Sequence, residues 1–339
     1  FEDASITTAI VEFEKDSKTN SALAHVFTEK NYTEKEIIDS IKDKSKFFNV
    51  EFKKNSVFAI VNNKTDALNS KIDKNYKTLN SLFKIGKGME TAANHVFMFV
   101  EHPKNIPSQF IKKRMSGETI GKYKINGLLE YLLYVEDVKS FDELLESIQN
   151  HLKKYKEDLE NRAEIKRNKS RQWWKYTFPM HKEYYHLNKI WCSYRSKENI
   201  FCYDDTGEYI GLTNTTVIFD TNKDLDLKYL ISLLNSKLLN YRYKSIGKQT
   251  GSGVYEYFEN GVGKLPIPEI STEDQQPFIR LADIMLSKNK ELQELQKKFT
   301  KLLNSEFKLE KLSEKLEEWF LLEWKEFVNE LKKKKINLT

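Results

Sequence analysis

The feature of this sequence most suited to binding chemistry is a cluster of basic residues interrupted by tryptophan. Residues 151–200 contain 13 Lys and Arg against 6 Asp and Glu, whereas the whole 339-residue chain has a net charge of +6. The centre of the cluster comprises Arg162, Lys166, Arg167, Lys169, Arg171 and Lys175 around Trp173 and Trp174. Clustered cations neutralise phosphates, and flat aromatic or guanidinium faces stack on sugars or bases, so this is the composition of a nucleic-acid groove. The alternative is a solvated helix followed by two core tryptophans, which composition alone slightly favours.

Patterns that would indicate catalysis are missing from the sequence. His181 and His186 are five residues apart, a spacing that places them poorly for one metal-binding face of a helix. Glu-x-Lys triplets such as residues 51–53 occur, but a chain this rich in Glu and Lys contains them by chance, and no upstream Pro-Asp accompanies them. There is no Gly-x-Ser-x-Gly motif. We therefore predict no catalytic residue and no metal site.

Two further motifs have structural interpretations. Gly86-Lys87-Gly88 lacks the Gly-Lys-Ser/Thr ending of a phosphate loop, so we predict no nucleotide site there. Cys192 and Cys202 lie in strand-like segments without a second ligand pair for zinc, and we expect two reduced, partly buried thiols.

Composition indicates a folded protein of two or three domains. Hydrophobic residues make up 39% and aromatic residues 13% of the chain, enough for a sizeable core, while 12 Gly and 6 Pro exclude collagen-like and linker sequences. No apolar run approaches the roughly 20 residues that a membrane helix needs, and the N-terminus does not resemble a secretory signal. We expect a cytoplasmic location and no membrane contact. Because the chain begins with Phe1, we expect it to be part of a longer protein.

The first half of the chain predicts alternating short elements. Residues 4–14 and the segments FFNVEF, SVFAIV and HVFMFV are typical of strands, and residues 75–83 of a helix. Thr33 and Glu36 form a capping-box pattern at the start of a short helix over 33–46. A long polar helix is predicted over 140–169 with Ser140 as its N-cap.

The second half predicts strands followed by helices. KIWCSY, IFCYD and TTVIFD are typical of strands, with residues 204–207 as a hairpin turn. LKYLISLLNSKLLNYRYKS predicts one amphipathic helix, followed by a glycine-rich loop that either approaches a ligand or connects elements at the surface. Beyond Pro277, apolar residues recur every three or four positions and predict a hairpin of two long helices, including Leu292, Leu295, Phe299 and Leu302.

These ordered pieces resemble a known family. FEDASITTAIVEFEK resembles the end of the catalytic domain of adenine-specific DNA methyltransferases in type IIG restriction-modification enzymes. The rest is similar to their TaqI-like specificity domain, through FKIGKGMETAANHVFMF, IKKRMSGETIGKYKIN, RNKSRQWWKY, NKIWCSYRSKENIFCYDDTGEYIGLTNTTVIF, LKYLISLLNSKLLNYRYKSIG and VGKLPIP. The tail LLEWKEFVNELKKKKINLT is similar to the helical ends of such proteins. Neither the Asn-Pro-Pro-Tyr motif nor a cofactor-binding glycine motif of the family occurs here.

The resemblance implies that this chain reads DNA while another domain performs the chemistry. Such enzymes flip the target adenine out of the duplex, and a separate domain grips and reads the sequence through major-groove hydrogen bonds and phosphate contacts. It implies first-rank DNA-facing candidates, which are Lys166, Arg167, Lys169, Arg171 and Lys175. Second-rank candidates are Lys112, Lys113, Arg114, Arg195, Arg242, Lys244, Lys248 and Gln249. Phe1 matches the family's aromatic residue that packs against the flipped adenine.

The expected architecture is α+β, with a mixed α/β specificity domain of short strands and helices followed by a C-terminal helical hairpin. We expect the tail of the methyltransferase domain over 1–28, a connecting segment over 29–75, the target recognition domain over 76–270 and a helical region over 271–339.

The expected function is recognition of double-stranded DNA for the missing catalytic domains of the same protein. This chain would hold no cofactor; the complete protein would use S-adenosylmethionine, and Mg if it contains a nuclease domain. Two alternatives remain, a helical interaction protein that docks a partner subunit and a fragment with its own metal-dependent nuclease site.

Overall fold

The computed structural model describes residues 11–12, 21–27, 32–51, 60, 62–74, 76–127, 130–221, 224–251, 253–308 and 312–336. Within these residues the protein is a mixed α+β structure of short elements that ends in a long helix. The expected α+β class is confirmed. The predicted strand over 4–14 and the SVFAIV strand fall almost wholly outside the described residues, as does Phe1.

Thirteen α-helices occur in the described part of the chain. They are α1 (Glu34–Lys42), α2 (Asn63–Asp73), α3 (Leu79–Leu82), α4 (Asn94–Phe97), α5 (Glu146–Lys154), α6 (Lys156–Glu160), α7 (Ala163–Arg167), α8 (Leu227–Leu234), α9 (Lys237–Ile246), α10 (Glu259–Val262), α11 (Thr272–Glu306), α12 (Glu314–Glu317) and α13 (Trp324–Lys333). Short 3-10 helices cover Lys44–Lys46, Ser108–Phe110, Phe141–Glu143, Lys182–Tyr184 and Trp319–Leu321. No helix among the described residues is long and apolar enough to cross a membrane.

Seventeen short strands occur in the same described residues. They are β1 (Ser21–Ala24), β2 (Phe48–Glu51), β3 (Lys77–Thr78), β4 (Lys84–Lys87), β5 (Met98–Phe99), β6 (Ile111–Met115), β7 (Ile120–Gly121), β8 (Lys124–Ile125), β9 (Tyr131–Leu133), β10 (Lys189–Ser193), β11 (Arg195–Ser196), β12 (Phe201–Asp204), β13 (Tyr209–Gly211), β14 (Thr215–Phe219), β15 (Gln249–Gly251), β16 (Val254–Glu256) and β17 (Pro266–Ile267).

Two four-stranded sheets organise the centre of the protein. One has the order β12-β10-β14-β4 and is antiparallel. The other has the order β13-β6-β9-β5, in which β13 and β6 are parallel. A three-stranded sheet, β11-β16-β15, stands beside them. Trp191, Val217 and Phe219 of the first sheet share one apolar cluster with Leu132 and Met115 of the second, so both sheets contribute to a common core.

The predicted helix over 140–169 is wrong as a single element. The segment instead forms a 3-10 turn and then α5, α6 and α7. The chain bends at Tyr155 and again at Arg162, which has extended backbone angles of φ −56° and ψ 134° just before α7. The second bend turns the Arg162 side chain into the interior, so a tertiary contact overrides the helical periodicity.

The predicted helix over residues 227–245 is also divided, into α8 and α9. Ser236 caps α9 by accepting from the Leu239 N–H at 3.1 Å. Asn235 lies in the gap and pairs with strand β12, because its amide donates to the Phe201 carbonyl and accepts from the Phe201 N–H, each at 3.0 Å. The break between the two helices thus lets the Asn235 side chain bond to the main chain of Phe201 on β12, an edge strand of its sheet.

Other local predictions had mixed outcomes. The capping box at Thr33 and Glu36 is present, and both cysteines are buried and free. The turn at 204–207 forms, since Asp204 accepts from the Thr206 N–H at 3.0 Å, but it does not make a hairpin because β12 and β13 join different sheets. The predicted HVFMFV strand is α4 followed by the two residues of β5, and the helix predicted over 75–83 is confined to α3.

The C-terminal region contains one long helix, α11, followed by two short ones. Its far end carries a small apolar cluster in which Phe299 and Leu303 of α11 pack against residues of α12 and α13, among them Leu316 and Phe327. The predicted hairpin of two long helices is therefore a long helix with a short folded-back end.

Candidate nucleic-acid interface

Arg162, at the centre of the basic cluster, is a buried structural residue. Its side chain lies under the surface with 6% of the residue exposed. All its N–H groups donate to neutral oxygens, and these acceptors are the carbonyls of Thr91, Leu159, Trp173 and Lys175 and the hydroxyl of Thr177. Burial lowers the pKa of Arg162 to about 10, although Glu136 opposes the shift. The guanidinium therefore fastens the basic segment to the core and is unavailable to phosphate.

Both tryptophans pack on the apolar core, one fully and the other partly buried. Trp174 is buried, and Trp173 packs on the same apolar cluster with its ring centroid 5.0 Å from that of Phe141. Lys175 extends over the Trp174 ring and donates to the Glu136 carbonyl at 3.0 Å. Burial lowers the pKa of Lys175, with Glu136 acting in the opposite direction. Of the two tryptophans, Trp174 is therefore a core residue and Trp173 is half-buried at the edge of the core.

The remaining first-rank candidates lie on α7, which also carries Glu164, and on the loop after it. Arg167 is 76% exposed and pairs with Glu164 at 3.0 Å. Arg171 pairs with the same carboxylate at 3.6 Å, bonds to the Thr177 carbonyl and stacks on Phe178. Lys166 and Lys169 are exposed and have no ion pair with any described residue. This surface has a net positive charge, with one carboxylate among four cations.

Strand β6 carries Lys112, Lys113 and Arg114. Lys113 pairs with Glu208, whose hydrogen bond raises the pKa of the lysine. Arg114 pairs with Glu130 and is only 15% exposed. Lys112 is half-buried and has no ion pair among the described residues. Lys113 and Arg114 are therefore both paired and less exposed, at 36% and 15%, than Arg167 beside Glu164 at 76%.

A third group forms on the small sheet β11-β16-β15. Arg195 lies opposite Glu256 in the strand register, and Lys248 just precedes β15. Both contact the Glu256 carboxylate, Arg195 at 3.3 Å and Lys248 at 2.9 Å, while remaining 62% and 65% exposed. The hydrogen bond from Lys248, followed by that from Arg195, lowers the pKa of Glu256. Gln249 is exposed beside them.

The β15–β16 connection is built on glycine. Gly251 and Gly253 have φ values of 109° and 72°, which a side-chain-bearing residue rarely adopts.

Sequence reasoning missed Lys87 and Tyr194 as members of this third group. The Lys87 ammonium lies 6.0 Å from the Tyr194 ring centroid, and the Arg195 guanidinium lies 5.8 Å from the same ring. In the sequence, Lys87 stands out only as the middle residue of Gly86-Lys87-Gly88, which resembles part of a phosphate loop. The neighbouring Tyr194-Arg195 pair carried a usable signal, since an aromatic ring next to a cation suits stacking and phosphate binding together.

The other second-rank candidates lie on α9. Arg242 holds α9 to α2 through a two-pronged contact with Asp73, at 2.7 and 2.6 Å, and is 14% exposed. Lys244 is exposed on the same helix. Tyr243 between them donates to the Glu256 carbonyl and stacks on Tyr257, which ties α9 to the third group.

The candidates therefore form three groups, on α7 and its loop, on β6, and on the β11-β16-β15 sheet with α9. Among the described residues, no side-chain hydrogen bond or ion pair joins the first group to either of the others. No three His, Cys, Asp or Glu side chains in the described part of the chain cluster so as to hold a metal ion.

Exposed cations are carried on short strands and helices over a shared core. Residues 112–267 match the family described as the TaqI-like C-terminal specificity domain. The resemblance to a TaqI-like specificity domain that was drawn from the sequence is confirmed over that range. Residues 271–339 match a family described as a domain of unknown function, DUF8810. No curated protein matches the sequence.

Solved structures with similarity to this chain include two restriction enzymes. The type IIL restriction-modification enzyme MmeI, in complex with DNA, has a TM-score of 0.48 and 15% identity, covering 63% of this chain and 29% of that one. The type IIG restriction endonuclease BpuSI has a TM-score of 0.42 and 11% identity, covering 64% of this chain and 28% of that one. The present chain therefore spans less than a third of the length of either enzyme.

Proposed function

We propose that this chain is the DNA-recognition part of a type IIG-like restriction-modification protein. It grips double-stranded DNA so that catalytic domains outside this chain can methylate adenine, and in some contexts cleave. The observation that carries the proposal is the match of residues 112–267 to a specificity-domain family. The exposed cations on that domain supply the phosphate contacts that such a function requires.

Two groups of cations suit DNA best. Lys166, Arg167 and Lys169 are exposed on one, and Arg195 and Lys248 on the other. Their carboxylate partners do not prevent DNA binding, because Arg167, Arg195 and Lys248 are themselves 76%, 62% and 65% exposed and can contact a phosphate beside the acid. We rank Arg114 and Arg242 lower, since both are mostly covered and engaged by their own acids.

Base reading would fall to polar side chains near these cations. Gln249 is exposed on β15, and a glutamine amide can donate to and accept from adenine in the major groove. Lys248, the preceding residue, and Arg195, which contacts the same Glu256 carboxylate as Lys248, would fix the register of the sheet on the phosphates.

The direct test is DNA binding by the 339-residue chain as a function of salt. Fluorescence anisotropy with a labelled duplex should give affinity that falls steeply with salt, with a log–log slope set by the number of phosphates neutralised. Replacing Arg195 and Lys248 together by Gln should reduce that slope by about 2. Lys297→Gln, an exposed lysine on α11, is the matched control and should leave the slope unchanged. No retention of duplex DNA at low salt would refute the proposal.

Methylation belongs to the complete protein. S-adenosylmethionine would be held by the catalytic domain, and we assign no residue of this chain to it. In the complete protein, the Arg195→Gln/Lys248→Gln pair should lower transfer of labelled methyl groups to duplex DNA in parallel with binding, and saturating DNA should restore the rate. Loss of rate that saturating DNA does not restore would argue against a purely recognition role.

A further inference from the structure

The long helix α11 has two stripes of different character. The stripe facing the protein body contains Gln275, Ile279, Ala282, Leu286, Asn289, Gln293, Gln296, Thr300 and Leu303, all buried or half-buried. Its middle is polar, and Gln293 donates to the Ile125 carbonyl at 2.9 Å. Gln275 donates to the Asp224 and Ile270 carbonyls at 3.0 and 3.1 Å. The helix is thus docked on the domain partly through hydrogen bonds.

A second stripe runs beside the first and is apolar. We call it the α11 seam; it consists of Phe278, Leu281, Met285, Lys288, Leu292, Leu295, Phe299 and Leu302. The spacings alternate between three and four without a break, which is the repeat of a coiled-coil contact line. Leu281 is 60% exposed, Leu295 56% and Leu302 55%. Seven of eight positions are therefore apolar on a face that a solitary surface helix would keep polar.

Near the C-terminal end of α11, part of the seam is already covered by other elements of the same chain. Phe299 lies with its ring centroid 4.1 Å from Trp319 and 6.3 Å from Phe327, beside α12 and α13. Those elements themselves expose apolar side chains, with Leu321 67% and Trp324 70% exposed. Exposed apolar side chains therefore lie near both ends of α11, with Phe278 and Leu281 near its start and Leu321 and Trp324 beyond its end.

We propose that α11 pairs with α11 of a second copy of this chain in an antiparallel, two-fold arrangement. Placing Leu292 opposite Leu295 of the second copy aligns Met285 with Leu302 and Lys288 with Phe299, and the same contacts repeat across the axis. The paired segment is about 26 Å long at a rise of 1.5 Å per residue. The Leu321 and Trp324 end of each copy then approaches Phe278 and Leu281 of the other, which a parallel pairing would not achieve.

Charge supports this register. Glu291 and Lys298 flank the seam at the positions that meet across an antiparallel pair, so Glu291 of each copy faces Lys298 of the other. Two opposite-charge contacts form, and no like charges meet at these positions. Lys288, the one charged seam residue, forms an ion pair with Glu291 of its own helix at 2.8 Å, and both side chains are exposed, so Glu291 can exchange this partner for Lys298 of the second copy.

The first experiment is sedimentation equilibrium of the 339-residue chain over a range of concentrations. We expect a concentration-dependent mass that approaches twice the chain mass of 40.1 kDa. Leu292→Lys/Leu295→Lys should leave a monomer with unchanged far-ultraviolet circular dichroism, since both side chains are already exposed. A wild-type chain that stays monomeric at high micromolar concentration overturns the proposal.

The second experiment separates this register from other associations. Glu291→Lys and Lys298→Glu should each weaken the dimer by about tenfold, and the double exchange Glu291→Lys/Lys298→Glu should restore it. Glu294→Lys and Lys297→Glu make the same charge changes on the other side of α11 and serve as controls. Failure of the double exchange to restore association overturns the antiparallel register. Neither result depends on DNA, so the outcome is independent of the proposed function.

Discussion

The guanidinium of Arg162 donates to the main-chain carbonyl of Thr91, 71 residues earlier in the chain, at 2.6 Å. The same group also bonds to Trp173 and Lys175 carbonyls, so the loop before α4, the end of α6 and the tryptophan segment meet at one cation. Only a residue with five donors in a planar fork can satisfy them all. Arg162 therefore stabilises the fold, whereas its neighbours Lys166, Arg167 and Lys169 are exposed to solvent and accessible to a ligand.

Replacing Arg162 should destabilise the protein strongly. Arg162→Met leaves several buried carbonyls without donors, and we expect a loss of about 3–5 kcal/mol in the free energy of unfolding. Urea denaturation followed by tryptophan fluorescence measures this. Arg167→Met, at a residue 76% exposed, is the control and should change stability by less than about 0.5 kcal/mol. Equal effects of the two substitutions would contradict the structural role of Arg162.

The buried ion pair between Lys189 and Asp204 should show coupling. Both side chains are fully buried with 3.1 Å between the charged atoms, and burial lowers the pKa of Lys189 while Asp204 opposes the shift. Lys189→Met strands a buried carboxylate and should cost about 3–5 kcal/mol. The double variant with Asp204→Asn should cost less than the sum of the single variants by about 1–3 kcal/mol.

Denaturant titrations of the three variants and the wild type complete the cycle. The exposed pair Lys122 and Glu198, 2.9 Å apart, is the comparison, and Lys122→Met should cost less than about 1 kcal/mol. Strict additivity at Lys189 and Asp204 would show that the pair is not coupled.

Glu136 should make stability depend on pH. Burial raises the pKa of Glu136 to about 7, although the Tyr176 N–H and two nearby lysines act in the opposite direction. Because the folded carboxyl holds its proton at pH values where the unfolded one has lost it, the protein should lose stability as pH rises from about 4.5 to about 7. The total loss from this group is about 3 kcal/mol.

Glu136→Gln isolates this contribution. The amide oxygen can still accept from the Tyr176 N–H, and no charge is then buried at high pH. We expect the variant to be more stable than wild type at pH 8 and similar to it at pH 4.5, as measured by guanidinium denaturation. A difference between the two proteins that does not change with pH would be inconsistent with titration of Glu136.

Removing the acid from the third basic group should strengthen DNA binding. Glu256 holds Arg195 and Lys248 at 3.3 and 2.9 Å and competes with phosphate for them. Glu256→Gln should therefore raise affinity for duplex DNA by about threefold to tenfold at low salt, since one charge-assisted competitor is lost. Anisotropy titrations measure the change, and Arg195→Gln should shift affinity in the opposite direction. A weaker complex with Glu256→Gln would mean that the carboxylate positions the cations instead of competing for them.

Local chemistry was readable directly from the sequence. The capping box at Thr33 and Glu36 and the turn at Asp204 form because the groups involved are two or three residues apart. Short apolar runs predicted the strands KIWCSY and TTVIFD, and the observed strands Lys189–Ser193 and Thr215–Phe219 lie side by side in one sheet. Family motifs added the resemblance to a TaqI-like specificity domain, expected over 76–270, which composition alone did not supply.

The tertiary structure decided which basic residues are exposed and which helices are continuous. Arg162 and Arg167 are the same residue type five positions apart, yet one is buried and the other 76% exposed. The difference depends on carbonyls contributed by Thr91 and by residues 173–175, which chain spacing does not reveal. Asn235 interrupts a helical pattern for a similar reason, because it bonds to a strand 34 residues away. Contacts between distant segments depend on the packing of the whole chain. The local sequence pattern therefore predicts which helices and strands form, whereas tertiary packing determines where they end and which of their side chains are exposed.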